Sequence, residues 1–132
     1  NMSAPLIVAL GGRVVGMDVA TGDVLWHNEL QGSGVGFVAL AVTDDFVVVS
    51  ASAARLFCLN RLTGDIVWSN QTEGLGRATI LIQDGNIFIA KSGLLDCFHL
   101  STGQLAWSKS LQKLGKKTAA LGLTNNVVQA DG

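Results

Sequence analysis

The sequence predicts an all-β chain of tandem four-stranded antiparallel sheets stacked face to face. Three observations predict it. The string Thr-Gly-x-x-x-Trp occurs three times, at Thr21-Gly22 with Trp26, Thr63-Gly64 with Trp68, and Thr102-Gly103 with Trp107, the tryptophans lying 42 and then 39 residues apart. A second set of turn-forming residues, Asp44-Asp45, Asp84-Gly85-Asn86 and Asn125-Asn126, recurs at about the same period. Apolar runs such as Val47-Val48-Val49 and Ile80-Leu81-Ile82 are continuous rather than alternating, so both faces of their sheets must be covered.

Taken in order, the first repeat covers approximately residues 6–28 and opens at Leu6–Leu10, where the other repeats have their second strand. The second, residues 37–70, is predicted to hold strands at Phe37–Val42, Phe46–Ser50, Arg55–Asn60 and Asp65–Asn70. The third, residues 78–109, repeats them at Ala78–Gln83, Asn86–Ala90, Leu94–His99 and Gln104–Ser108. A partial unit at 118–131 supplies a first strand at Thr118–Leu123 and the start of a second at Val127–Gln129. A parallel α/β sheet also has continuous apolar strands, but its crossovers need about a dozen residues, and no segment here carries helical periodicity. Stacked antiparallel blades of a β-propeller, at about 40 residues per blade, remain.

Each recurring residue type has work to do in a hairpin. Glycine reaches positive φ at low cost, while threonine and a preceding Asp or Asn hydrogen-bond local backbone groups. The tryptophan arrives four residues beyond the glycine, on the outgoing strand, where its ring can bury about 150–250 Å² against a neighbouring unit. Asp18, Thr21, Gly22 and Trp26, then Asn60, Thr63, Gly64 and Trp68, then Thr102, Gly103 and Trp107 are therefore read as a structural motif, with no catalytic, cofactor-binding or metal-binding residue among them.

This motif resembles the pyrroloquinoline-quinone (PQQ) enzyme repeat, Ala-x-Asp-x-x-Thr-Gly-x-x-x-Trp, over nearly the whole chain. Gly16 stands in place of its alanine, and Asn60 and His99 replace its aspartate, which is expected to weaken the second and third turns. The resemblance implies a propeller in which Trp26, Trp68 and Trp107 dock blade to blade. It also implies two kinds of relative. Many members are non-enzymatic scaffolds, among them an outer-membrane assembly lipoprotein and propellers appended to larger eukaryotic enzymes and receptors. Others are quinoprotein dehydrogenases, which use PQQ and calcium in a ring of about eight blades, with an aspartate base and a vicinal cysteine pair.

Cys58 and Cys97 occupy equivalent positions of successive repeats, so neither a disulfide nor a vicinal pair is expected, and both read as small core hydrophobes. The acidic candidates Asp44, Asp45, Glu73, Asp84 and Asp96 are placed in or beside turns and match no calcium or base pattern. His27 and His99 lack metal-ligand spacing and read as strand-surface residues. No cofactor is expected.

With 48% hydrophobic residues, 14% charged and a net charge of -1, the composition is that of an ordered globular chain without the positive field that nucleic-acid binding requires. The one basic stretch, Lys109, Lys113, Lys116 and Lys117, reads as a solvated loop. Apolar runs fall far short of the roughly 20 residues that cross a bilayer as a helix, so no membrane insertion is expected. Leu6–Leu10 follows no basic stretch, so no secretion signal is expected. Asn1 reads as an added residue; Met2, taken as a native start, would place the chain in the cytoplasm, while a domain excised from a longer precursor would look the same and leave the compartment open. Asn1-Met2-Ser3 and Asn70-Gln71-Thr72 match the glycan-acceptor pattern.

The strands amount to about three and a half blades, fewer than the roughly four to eight that close a ring. The open ends call for another propeller segment: a second copy, giving a homodimeric ring of about six blades, or the remainder of a longer parent chain. The expected role is a non-enzymatic scaffold or protein-interaction module. The alternatives are a fragment of a PQQ-dependent dehydrogenase, and a peptide-binding or sensing module acting through exposed strand edges.

Overall fold

The structure is a computed structural model and describes residues 4–30, 38–51, 54–72 and 77–128. The Asn1-Met2-Ser3 triplet, Phe37, Glu73 and Gln129 lie outside the described residues. Thirteen strands run through the described residues, and no helix does. β1 (Leu6–Leu10), β2 (Arg13–Met17) and β3 (Val24–Asn28) form a three-stranded sheet. β4 (Val38–Val42), β5 (Phe46–Ala51), β6 (Arg55–Asn60) and β7 (Ile66–Gln71) form the second sheet. The third is β8 (Thr79–Gln83), β9 (Asn86–Lys91), β10 (Leu94–His99) and β11 (Leu105–Ser110), and the fourth is β12 (Leu121–Leu123) with β13 (Asn126–Val128). Every sheet is an antiparallel meander in chain order.

Short hairpins make that order possible. Between β8 and β9, Asp84 and Gly85 take φ of 53° and 77°, the paired left-handed residues of a tight turn whose twist suits the flanking strands. The outer strands begin at Ile66 and Leu105, one residue later than the sequence suggests. The cause is local: Asp65 N and Gln104 N donate to Thr63 Oγ1 and Thr102 Oγ1, each at 3.2 Å, so these residues belong to the turn.

Packing between sheets explains the unbroken apolar runs. Along β5, Val47 and Val49 enter one core with Val14, Trp26, Phe57 and Leu59, while Val48, between them, enters a second with Leu56, Cys58, Ile80, Ile89 and Phe98. All three valines are fully buried, because successive side chains of a strand point to opposite faces and each face here has a sheet against it. The second sheet is thus the middle layer of a stack. Inner strands neighbour one another, β4 with β8 and β8 with β12, whereas β11 is exposed at all six positions and forms the rim.

Asp96 departs from the expected placement beside a turn. It lies inside β10, 8% exposed, and accepts a 2.6 Å hydrogen bond from Ser108 Oγ. Asp44, Asp45 and Asp84 do fall in the turns between strands.

Candidate functional site

The chain's repeated motif lies at the seams between sheets. In each of the first three sheets the last two strands meet with a register shift at one place: after Gly16 opposite Trp26, after Cys58 opposite Trp68, and after Cys97 opposite Trp107. Such a bulge adds local twist and re-aims the side chain beside it. At Gly16 a Cβ would overlap the Trp26 ring, so a residue without a side chain is needed beneath that indole.

Trp26 reaches from the first sheet into the turn of the second. Its Nε1 donates to Arg61 O at 2.9 Å, and its ring covers Gly64, whose φ of 79° leaves no room for a side chain. Two residues on, Asn28 Nδ2 donates to Gly64 O at 3.0 Å. The second seam repeats the arrangement: Trp68 Nε1 donates to Leu100 O at 2.7 Å, its ring covers Gly103, and Asn70 Nδ2 donates to Gly103 O at 2.8 Å. The second and third Thr-Gly turns are therefore the receptacles for the preceding sheet's indole.

All three Thr-Gly turns are held from within. Asp18 Oδ1 accepts from Ala20 N at 2.8 Å and Thr21 N at 3.2 Å. Asn60 Oδ1 accepts the equivalent pair, from Leu62 N at 2.9 Å and Thr63 N at 3.1 Å, so its turn keeps the geometry and loses only the charge on the acceptor. In the third turn Gly103 N donates to His99 O and His99 N to Gln104 O, while the side chain of His99 is exposed and takes no such pair.

Sequence reasoning missed four contributors. Asn28 and Asn70 share a Trp-x-Asn spacing that was visible and unused. Arg61 ties the first seam together, donating from Nε to Pro5 O at 3.1 Å and from Nη1 to Thr43 O at 2.9 Å while its own carbonyl holds Trp26. Lys91 is 3% exposed, with Nζ on Thr72 Oγ1 at 2.8 Å; burial lowers its pKa and the nearby Asp96 carboxylate raises it.

The third seam is open. Trp107 is 41% exposed and tilted against Phe88, their centroids 6.2 Å apart. Lys109 stands where the first two seams have asparagine. The short sheet of β12 and β13 covers part of this face, pinned by Asn126 Nδ2 on Ile82 O at 2.9 Å, and a cavity of about 230 Å³ remains among Leu81, Phe88, Leu95, Trp107 and Leu121. The strand count of a partial propeller is thus matched by an uncompleted interface.

Quinone-dependent redox chemistry, one option raised by the motif, needs a calcium donor set. Among the described residues no group of three or more His, Cys, Asp or Glu is placed to hold a metal ion. Cys58 and Cys97 lie in successive sheets, both buried, and burial pushes the Cys58 thiol up to about 12 and the Cys97 thiol in the same direction. They are neutral thiols, not a vicinal pair, and these residues do not fit the group.

Antiparallel sheets of up to four strands fanned in chain order, the first two gripping the next sheet's turn by an indole, define a β-propeller of the PQQ-like repeat class. The chain belongs to the family described as outer membrane protein assembly factor BamB, whose sequence profile matches residues 5–131. Among curated proteins none matches significantly. Solved structures share the fold. BamB from Moraxella catarrhalis is 20% identical with a TM-score of 0.66, over 81% of this chain and 33% of its own. Quinohemoprotein alcohol dehydrogenase from Comamonas testosteroni is 20% identical with a TM-score of 0.66, over 82% and 20%. The WD40 propeller domain of Doa1 is 16% identical with a TM-score of 0.66, over 83% and 37%. The chain spans a fifth to little over a third of the length of these structures.

Proposed function

We propose that the chain is a non-enzymatic segment of a larger propeller, a scaffold that presents surfaces to other proteins and is completed by further blades of its own parent chain. The carrying observation is where the motif's chemistry goes. Trp26 and Trp68 commit their only polar side-chain atom to a neighbouring turn, and Trp107 offers the same atom at a seam where no turn among the described residues lies against it. The signature residues build interfaces and leave none over for catalysis. That the chain spans a third of the BamB structure favours completion by more of the same polypeptide over a ring of two copies.

Light scattering on the isolated chain tests both parts. The expected result is one-chain particles that associate progressively with concentration through the open faces; a discrete two-chain particle would replace the parent-chain reading with a shared ring. The enzyme alternative is tested by mixing the protein with PQQ and calcium. Saturable binding with dye-linked alcohol oxidation would overturn the scaffold reading, and no binding is expected.

A further inference from the structure

The linker between β11 and β12 differs from the linker of the first seam. There, Leu30 turns inward and is 1% exposed within the core. In the third linker, Leu111 is 44% exposed and Leu114 is 87% exposed, the barest large apolar side chain among the described residues. The exposure does not come from a loose loop. Leu111 N donates to Gly93 O at 2.7 Å, Leu114 N to Leu111 O at 2.8 Å, and Gln112 Nε2 to Ser92 O at 3.0 Å. Gly115 O sits so close over Gly93 that a Cβ there would overlap it. The turn at 111–115 is stapled to the β9–β10 hairpin and holds its leucines out.

Beneath it lies a cavity of about 320 Å³, larger than the one beside Trp107. Ala90, Leu94, Leu95, Leu111 and Leu114 line it on one side and Ala119 to Leu121 on the other. Lys117 lines it, and Lys109, Lys113 and Lys116 lie exposed in the same stretch. None of these four lysines has an ion-pair or hydrogen-bond partner among the described residues, and no acidic residue occurs between Asp96 and Asp131. In a chain of net charge -1, these four lysines cluster in the stretch that borders one apolar cavity.

We infer that this cavity and its lysine rim form a docking site for an acidic peptide segment of a partner protein, anchored by an aliphatic side chain in the cavity with its carboxylates on Lys113, Lys116 and Lys117. Charge complementarity and apolar depth select that occupant together. A phosphate-rich ligand would use the lysines and leave the leucines idle. An anionic bilayer would take Leu114 and the lysines but has no side chain to seat in the apolar recess beneath them. The site deepens the interaction-module reading and rests on it.

The test uses the whole chain, at concentrations below the onset of self-association, and a fluorescent peptide of Asp and Glu residues with central leucines. Saturable binding that weakens with added salt is expected. Lys113→Glu combined with Lys116→Glu and Lys117→Glu should weaken it about tenfold or more. Leu114→Ser, at an exposed position that the fold does not need, should weaken it about tenfold, as should replacing the peptide's leucines by serine. Binding that ignores these changes, or that a lysine-rich peptide matches, would overturn the site. Phosphatidylserine vesicles that sediment the chain while the peptide fails to bind would overturn it in favour of a lipid surface. Failure of peptide binding leaves the scaffold reading standing, because that reading fails only on quinone binding and turnover.

Discussion

The indole of Trp26 lies across the backbone of Gly64 in the next sheet, where a single added methyl group would run into Cε3 and Cδ2 of the ring. Gly22 occupies the same place in the first turn, with φ of 78° against 79° for Gly64, yet nothing lies within 4 Å of where its Cβ would stand. The two glycines share a backbone demand and differ only in having a ring above them.

Alanine at both positions separates those contributions. Gly22→Ala carries the left-handed strain alone, about 1–2 kcal/mol. Gly64→Ala adds overpacking of the seam, bringing the loss to about 2–5 kcal/mol. Urea unfolding of the two variants reads the difference, and equal losses would mean that the indole does not occupy the turn.

Removing the rings themselves should be graded by seam. Trp26→Ala and Trp68→Ala each remove a docked indole and its hydrogen bond, costing about 3–5 kcal/mol. Trp107→Ala acts at an exposed ring and should cost about 1 kcal/mol. Melting temperatures of the three variants check the order, and an unchanged value for Trp68→Ala would contradict its place in the second seam.

Asn70→Asp turns the donor that faces Gly103 O into an acceptor while keeping its size. Two oxygens then oppose each other, and a loss of about 1–3 kcal/mol is expected. The change should be felt in the second seam alone, so amide exchange of β10 and β11 should rise while that of β2 and β3 stays as it was.

Alkaline pH should destabilise the chain through Cys58. Its folded pKa is raised by burial from 9.0 to about 12. Below 9.0 the thiol is neutral in both states and the fold carries no penalty from it. Between 9.0 and about 12 the unfolded chain ionises while the folded chain keeps its proton, so stability falls as pH rises. Cys97 acts in the same direction. Lys91 opposes them, because a lowered folded pKa makes stability rise with pH between that value and 10.5. Unfolding midpoints measured at pH 8 and pH 10 should therefore converge in Cys58→Ala and diverge further in Lys91→Met.

The architecture was legible because it is written in spacing. The Trp26-to-Trp68 and Trp68-to-Trp107 intervals mark the units, and Val47-Val48-Val49 could be unbroken only in a sheet covered on both sides. Seam chemistry was legible in part. The indoles declared themselves by size, whereas Asn28 and Asn70 sit two residues further on among ordinary polar residues, and Lys109 breaks their pattern in the third repeat. Arg61, Lys91 and Asp96 were out of reach, since what each one touches is set by how two sheets meet rather than by its neighbours in sequence. The cavity under Leu114 has the same origin: a lysine-rich linker reads as solvated until the β9–β10 hairpin is seen to hold it.

One feature of β5 limits how this chain can change. Its neighbouring valines serve different cores, so deleting a single residue within that strand would exchange the contents of both at once and misfit three layers together. Substitutions there alter one contact, whereas insertions and deletions are confined to the connections. A change of length is therefore expected to be tolerated in a turn or as an entire blade, where neither core exchanges its contents.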